Sequence, residues 1–173
     1  IGRIDRIVES LLGFARATAP KFEQMQISSV IEEALGFFAD DIEKRGIKLI
    51  KKFDTVPNIT VDPGQISQVF SNLLLNAIQA MPEGGELNVS IGEGEKKDAV
   101  LKSVLIKVSD TGHGIPKESL GKLFDPFFTT KHGGTGLGLT IAHSIVDGHR
   151  GEISVSSEIE KGTEFSVTLP ITQ

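Results

Sequence analysis

From Pro63 to Pro82 the chain runs twenty residues without a charge. Asp62-Pro63-Gly64-Gln65 opens this stretch as a helix, with Asp62 at the N-cap, Pro63 at the first helical position and Gln65 reaching back. Ile66, Val69, Phe70, Leu73, Leu74, Ala77, Ile78 and Met81 then alternate by three and one, the spacing of a continuous core stripe. The opposite side is polar yet neutral: Gln65, Gln68, Asn72, Asn76 and Gln79 are all carboxamides, and Asn72 and Asn76 lie one turn apart on one face. Two arrangements satisfy this pattern. The helix is central, covered on both sides, with its amides bonded locally; or its amide face looks at a polyphosphate. A carboxamide oxygen can ligate Mg2+ and its NH2 can donate to phosphate, without the repulsion a carboxylate would bring.

Two glycine-rich loops favour the second arrangement. Asp110-Thr-Gly-His-Gly-Ile115 follows an apolar strand, Val104 to Val108, and Gly133-Gly-Thr-Gly-Leu-Gly-Leu139 opens an apolar helix, Leu137 to Val146. A carboxylate at a strand end followed by glycines lets a flat ligand approach the backbone closely. Uncapped N–H groups at a helix start form an anion site. Each loop taken singly also fits an ordinary turn. The two common phosphate motifs are excluded: no G-x-x-x-x-G-K-[ST] occurs, and Gly134-Thr-Gly-Leu-Gly has the wrong spacing and no preceding strand for a dinucleotide fingerprint.

Around these features the pattern is α+β. Ile1, Ile4, Ile7, Val8, Leu11, Leu12 and Ala15 form a helical apolar stripe that Pro20 stops. That stripe packs on its own domain or is half of a helical hairpin. Ser29-Val-Ile-Glu32 reads as a capping box opening a second amphipathic helix that Gly46 closes. Strands are expected at Ile47–Phe53, Asn58–Val61, Glu86–Ile91, Val100–Ser109, Glu152–Glu158 and Glu164–Leu169, mostly antiparallel. The 173 residues, 39% apolar and 24% charged, suit one globular domain with an appendage. There are no cysteines, no stretch of eighteen apolar residues and no signal-peptide pattern, which fits a cytoplasmic module. The net charge of −5 argues against nucleic acid as a partner. Because Ile1 falls within a helical pattern, the chain is expected to be a piece of a longer protein.

Taken in order, these motifs resemble the ATP-binding domain of sensor histidine kinases, a branch of the Bergerat-fold ATPases. Asn72-Leu-Leu-Leu-Asn76-Ala is similar to the asparagine box and Asp110–Ile115 to the first glycine box. Phe124-Asp-Pro-Phe-Phe-Thr-Thr-Lys131 is similar to the phenylalanine box, Gly134–Leu139 to the second glycine box, and Gly162-Thr163 before Phe165 to the closing segment. The Pro-Phe-Phe-Thr-Thr-Lys wording resembles the nitrogen-regulation branch. Residues 1–19 resemble the second helix of the dimerisation hairpin, leaving 20–27 as a linker and 28–173 as the catalytic domain.

The resemblance implies a two-layer Bergerat sandwich, a mixed sheet of about five strands under three helices, holding Mg·ATP beneath a mobile lid. By position, Asp110 would accept the adenine amino group and Gly112, Gly114 and Ile115 would line the base. Thr163 would sit under the base near Asp110. Asn76 and Asn72 would hold Mg2+ and phosphate. Thr130, Gly134, Thr135, Gly136, Leu137, Gly138 and Leu139 would belong to the nucleotide site, with Gly136, Leu137 and Gly138 presenting N–H groups to the phosphates. Lys131 would be the lid cation for the γ-phosphate; it also reads as a solvated loop lysine. Asn72 and Lys131 would carry catalysis, and a histidine outside this chain would take the phosphoryl group. His113, His132, His143 and His149 all lack the family's acceptor context, a His followed by an acid near a proline. Implied partners are a response regulator receiver domain, the phosphoacceptor helix and a second copy in a homodimer. Two other readings remain: an ATP-hydrolysing relative such as the gyrase or heat-shock ATPases, which carry a glutamate where this chain has Asn72, and a nucleotide-sensing module without transfer.

Overall fold

The computed structural model describes residues 19–94, 102–131 and 134–172. The helical stripe at 1–18, the polar turn at 95–101, and His132 and Gly133 lie outside them. In chain order the elements are β1 (Glu23–Met25), α1 (Ile27–Phe37), α2 (Ala39–Lys44), β2 (Ile47–Phe53), β3 (Ile59–Val61), α3 (Pro63–Ala80), β4 (Gly85–Glu93), β5 (Ser103–Asp110), α4 (Lys117–Leu120), α5 (Gly138–Gly148), β6 (Glu152–Glu158) and β7 (Gly162–Pro170).

Five strands form one mixed sheet in the order β2-β4-β5-β7-β6. The β2–β4 pair is parallel and the other pairs are antiparallel. Strand alternation decides what each face does. On β5, Val104, Ile106 and Val108 are buried while Ser103, Leu105, Lys107 and Ser109 are partly exposed. On β7, Phe165, Val167 and Leu169 repeat the pattern. The buried faces meet the apolar stripes of α1, α3 and α5 in one core. The other face carries polar pairs, Lys48 Nζ with Glu86 Oε1 at 2.8 Å and Lys107 Nζ with Glu164 Oε1 at 3.0 Å. The result is a two-layer α+β sandwich, as the sequence pattern predicts.

The central helix forms as its N-cap requires. Asp62 Oδ1 accepts from the Gln65 N–H at 2.9 Å, with Pro63 in the first turn. Desolvation alone would raise the Asp62 carboxyl. Hydrogen bonds accepted from the Gln65, Lys21 and Gly64 N–H groups outweigh it and hold the pKa below the ordinary value. His149, fully buried at the end of α5, pins this corner. Its Nε2 accepts from the Asp62 N–H at 3.0 Å, so its Nδ1–H donates to the Ile145 carbonyl at 2.8 Å. Phe22 meets the same ring edge-on, with centroids 5.2 Å apart.

Three local expectations are corrected. The box at Ser29–Glu32 does not cap a helix. α1 starts three residues earlier, with Gln26 in the N-cap position and no side-chain cap bond. Ile27 is completely buried and extends the Val30, Ile31, Ala34 stripe by one turn, so packing overrides the local capping signal. The single helix expected up to Gly46 is broken at Phe38 (φ −105°, ψ 5°) into α1 and α2. Gly46, at φ +65°, closes the second piece. The stretch read as a linker contains β1, which pairs antiparallel with β3 through Glu23↔Val61 and Met25↔Ile59.

Candidate nucleotide site

The core runs out at one end of the α3–α5 layer into a cavity of about 490 Å3. Its size is that of a small-molecule site. α3 supplies Gln68, Asn72, Leu75, Asn76 and Gln79 as one wall. All four polar members are amides, placed there by the helical period that buries Leu73, Leu74 and Ala77 opposite.

Asp110, the last residue of the β5 core stripe, lines the cavity and is only 5% exposed. Burial pushes its carboxyl above the ordinary value. The Gly112 and Thr163 N–H groups, then the His113 and Lys131 charges, pull in the other direction. The Gly112 N–H donates to Oδ1 at 2.8 Å. Thr163, the cross-strand partner of Asp110, also lines the cavity and is 6% exposed. Both polar groups occupy positions where the strand period would otherwise put an apolar side chain.

Glycine is required where this corner is tightest. A Cβ at Gly112 would stand 2.5 Å from the Ala80 carbonyl oxygen, and a Cβ at Gly162 (φ +109°) would strike the Asp110 carbonyl.

The cavity also holds a cation, Lys131. Lys131 Nζ donates to Asn76 Oδ1 at 2.7 Å and to Gln79 Oε1 at 2.8 Å. Desolvation lowers the lysine's pKa, and the Asp110 charge opposes that shift. Asn72 Nδ2 donates to the Gly138 carbonyl at 3.0 Å, tying α3 to the start of α5 and leaving the Asn72 oxygen as an acceptor. The N-cap of α5, Leu137, makes no side-chain cap bond, so its side chain satisfies none of the first-turn N–H groups. Gly136 (φ +68°) packs so closely on the Phe127 backbone that no Cβ fits between them. Phe127 itself has φ +65° and is 64% exposed. Thr140 Oγ1 donates to the Phe124 carbonyl at 3.1 Å, fastening the phenylalanine-rich segment over α5.

The cavity thus brings together Asn72, Asn76, Asp110, Ile115, Thr130, Lys131, Gly134, Thr135, Gly136, Gly138, Leu139 and Thr163. Gly112, Gly114 and Leu137 stand behind the wall. The first two let backbones pack against Ala80 and Glu158, and Leu137 is buried, its N–H 3.4 Å from Thr135 Oγ1. Sequence reasoning did not mark Leu123, Phe128, Ile141 and Phe165 as apolar lining, nor Gln79 as the lysine's second partner. An amide one turn after Asn76 was the available signal for Gln79.

A neutral amide pair, an uncapped helix start and a lysine fit a metal–polyphosphate. A buried carboxylate at the end of the apolar β5 stripe fits a flat base carrying an amino group. Among the described residues no group of three or more His, Cys, Asp or Glu could hold a metal. Any divalent ion here would rest on the amide oxygens of Asn72 and Asn76 and on the ligand's own phosphates.

Residues 61–173 match the family of histidine kinase-, DNA gyrase B- and HSP90-like ATPases, and the chain belongs to that family. Within it, the chain is similar to sensor kinases. It is 36% identical to sporulation kinase E of Bacillus subtilis over 99% of this chain and 23% of that protein. It is 38% identical to the sensor histidine kinase ZraS of Escherichia coli over 98% of this chain and 35% of that protein. The chain therefore spans about a quarter to a third of those relatives. Among solved structures, the catalytic domain of histidine kinase ThkA superposes with a TM-score of 0.77 at 32% identity, covering 88% of this chain and 97% of that one. ThkA in complex with the response regulator TrrA gives 0.80 at 30% identity, covering 98% of this chain and 48% of that one.

Proposed function

We propose that this chain binds Mg·ATP and passes the γ-phosphoryl group to a histidine outside it, as the catalytic module of a sensor histidine kinase. One observation carries the choice of transfer over hydrolysis. Among the described residues the only carboxylate lining the cavity is Asp110, which stands at the end of β5 and not on α3. On the α3 wall the chain offers Asn72 and Asn76, which cannot take a proton from water. Catalysis then rests on positioning and charge neutralisation. Asp110 accepts from the base amino group with Thr163 beside it. Asn72 and Asn76 hold Mg2+, which neutralises phosphate charge. Gly136, Gly138 and the α5 start receive the phosphates, and Lys131 meets the γ-phosphate.

Of the histidines that the structure describes, His149 is buried with both nitrogens bonded. His113 and His143 lack the acceptor context of a His followed by an acid near a proline. The phosphoryl group goes instead to a histidine on a helix outside this chain, and from there to a response regulator receiver domain, with a homodimer as the working unit. The ThkA–TrrA complex supports the regulator as partner. The test is radiolabel transfer from γ-labelled ATP. Label should appear on a separately supplied hairpin helix bearing the acceptor histidine, and neither on this chain nor as rapid free phosphate. Rapid phosphate release without any histidine label would place the chain with the hydrolases.

A further inference from the structure

Ser157, on β6, lies beside the cavity rather than in it, and its hydroxyl makes three contacts. The Ile115 N–H lies 2.8 Å from Ser157 Oγ, the Gly162 carbonyl oxygen 2.9 Å, and Thr163 Oγ1 2.9 Å. A serine hydroxyl has one proton and two acceptor lone pairs. The Ile115 N–H can only donate and the Gly162 oxygen can only accept. A single assignment makes all three contacts hydrogen bonds: Ile115 donates to Ser157, Ser157 donates to Gly162, and Thr163 donates to Ser157. The Thr163 proton therefore points away from the cavity, and Thr163 shows the cavity lone pairs only. Next to it, Asp110 already accepts from Gly112 and is likewise acceptor-only when ionised.

We propose that Ser157 is a positioning residue for base specificity: by taking the Thr163 proton it makes the Asp110–Thr163 corner an all-acceptor surface that admits a purine with an amino group at position 6 and rejects one with a carbonyl there. The inference rests on the nucleotide reading above and adds the residue that sets the polarity of the corner. A site of hydrogen-bonding groups discriminates strongly, because the wrong ligand leaves buried groups unpaired or opposed. Loss of Ser157 frees the Thr163 hydroxyl to turn and donate to a 6-carbonyl.

Calorimetric titration of Mg·ATP and Mg·ITP into wild type, S157A, S157T, T163V and the S157A/T163V double variant is the test. The ATP:ITP affinity ratio should fall about tenfold in S157A and return in S157T, which keeps the hydroxyl. In the T163V background S157A should leave the ratio where it was, since no hydroxyl remains to turn. A purely structural role, through the Ile115 N–H, would weaken both nucleotides alike. An unchanged ratio in an S157A protein that still binds would overturn the assignment. Wild type that binds neither nucleotide would overturn the nucleotide reading itself.

Discussion

Replacing Lys131 by Met separates two roles of one ammonium group. In the structure the group donates to Asn76 Oδ1 at 2.7 Å and to Gln79 Oε1 at 2.8 Å. A divalent ion ligated by Asn76 Oδ1 requires the first of these bonds to break. A hydrogen bond from a charged donor contributes about 1.5–3 kcal/mol, and the more exposed Gln79 contact less, so the latch is worth about 2 kcal/mol. Its removal should tighten Mg·ADP binding by roughly thirtyfold. Mg·ATP gains the same amount but loses the contact of Lys131 with the γ-phosphate, again about 1.5–3 kcal/mol, so its affinity should stay nearly level. The ATP:ADP affinity ratio should therefore fall about ten- to a hundredfold in Lys131→Met. Calorimetry with both nucleotides reads both terms. An unchanged ratio would refute the γ-phosphate contact, and weaker ADP binding would refute the latch.

Asp110→Asn should weaken ATP roughly ten- to a hundredfold by calorimetry, through loss of a buried charge-assisted bond. Burial raises the Asp110 carboxyl, so the folded state holds that proton more tightly than the unfolded chain and ionisation opposes folding. Wild-type stability relative to Asp110→Asn, from urea unfolding at several pH values, should fall as pH rises from about 3.8 through the folded-state value; a rising difference would contradict the assignment. Hydrogen exchange between Gly112 and Gly134 should be fast without nucleotide and slow with a non-hydrolysable ATP analogue, and equal protection would remove the lid. His149→Leu should lower unfolding stability by about 1–3 kcal/mol, since the Asp62 N–H loses its acceptor; ATP affinity should hold, and unchanged stability would show that the pin is dispensable.

Much of this arrangement is legible in the sequence because its signals are local. The α3 stripe, its Asp62 cap and the alternation of β4 through β7 each lie within one short segment. What was missed depends on partners distant in the chain. β1 is three residues long and exists through its pairing with β3. The start of α1 moved because Ile27 found a place in the core. The break at Phe38 brings Ile42 into the same core while Phe37 stays 70% exposed. In the site, motif order pointed to the polar groups of the cavity. The apolar residues that line it with them, Leu123, Ile141 and Phe165, look like any core residues until the fold leaves one side of them uncovered.

Asp110 and Thr163 close the same stripes that Val108 and Phe165 continue, so the cavity is the place where the interior stops supplying its own side chains. A flat aromatic ligand seated there would complete the packing as a further member of the core. Ligand and fold then share one thermodynamic account, and saturation with a nucleotide at a hundred times its Kd would add about 2.7 kcal/mol to the domain's stability. In a cell, the concentration of free nucleotide would then govern how much of this domain is folded and protected from proteolysis, as well as how often it reacts. Variants weakened far from the cavity would be rescued or lost according to the cell's energy state.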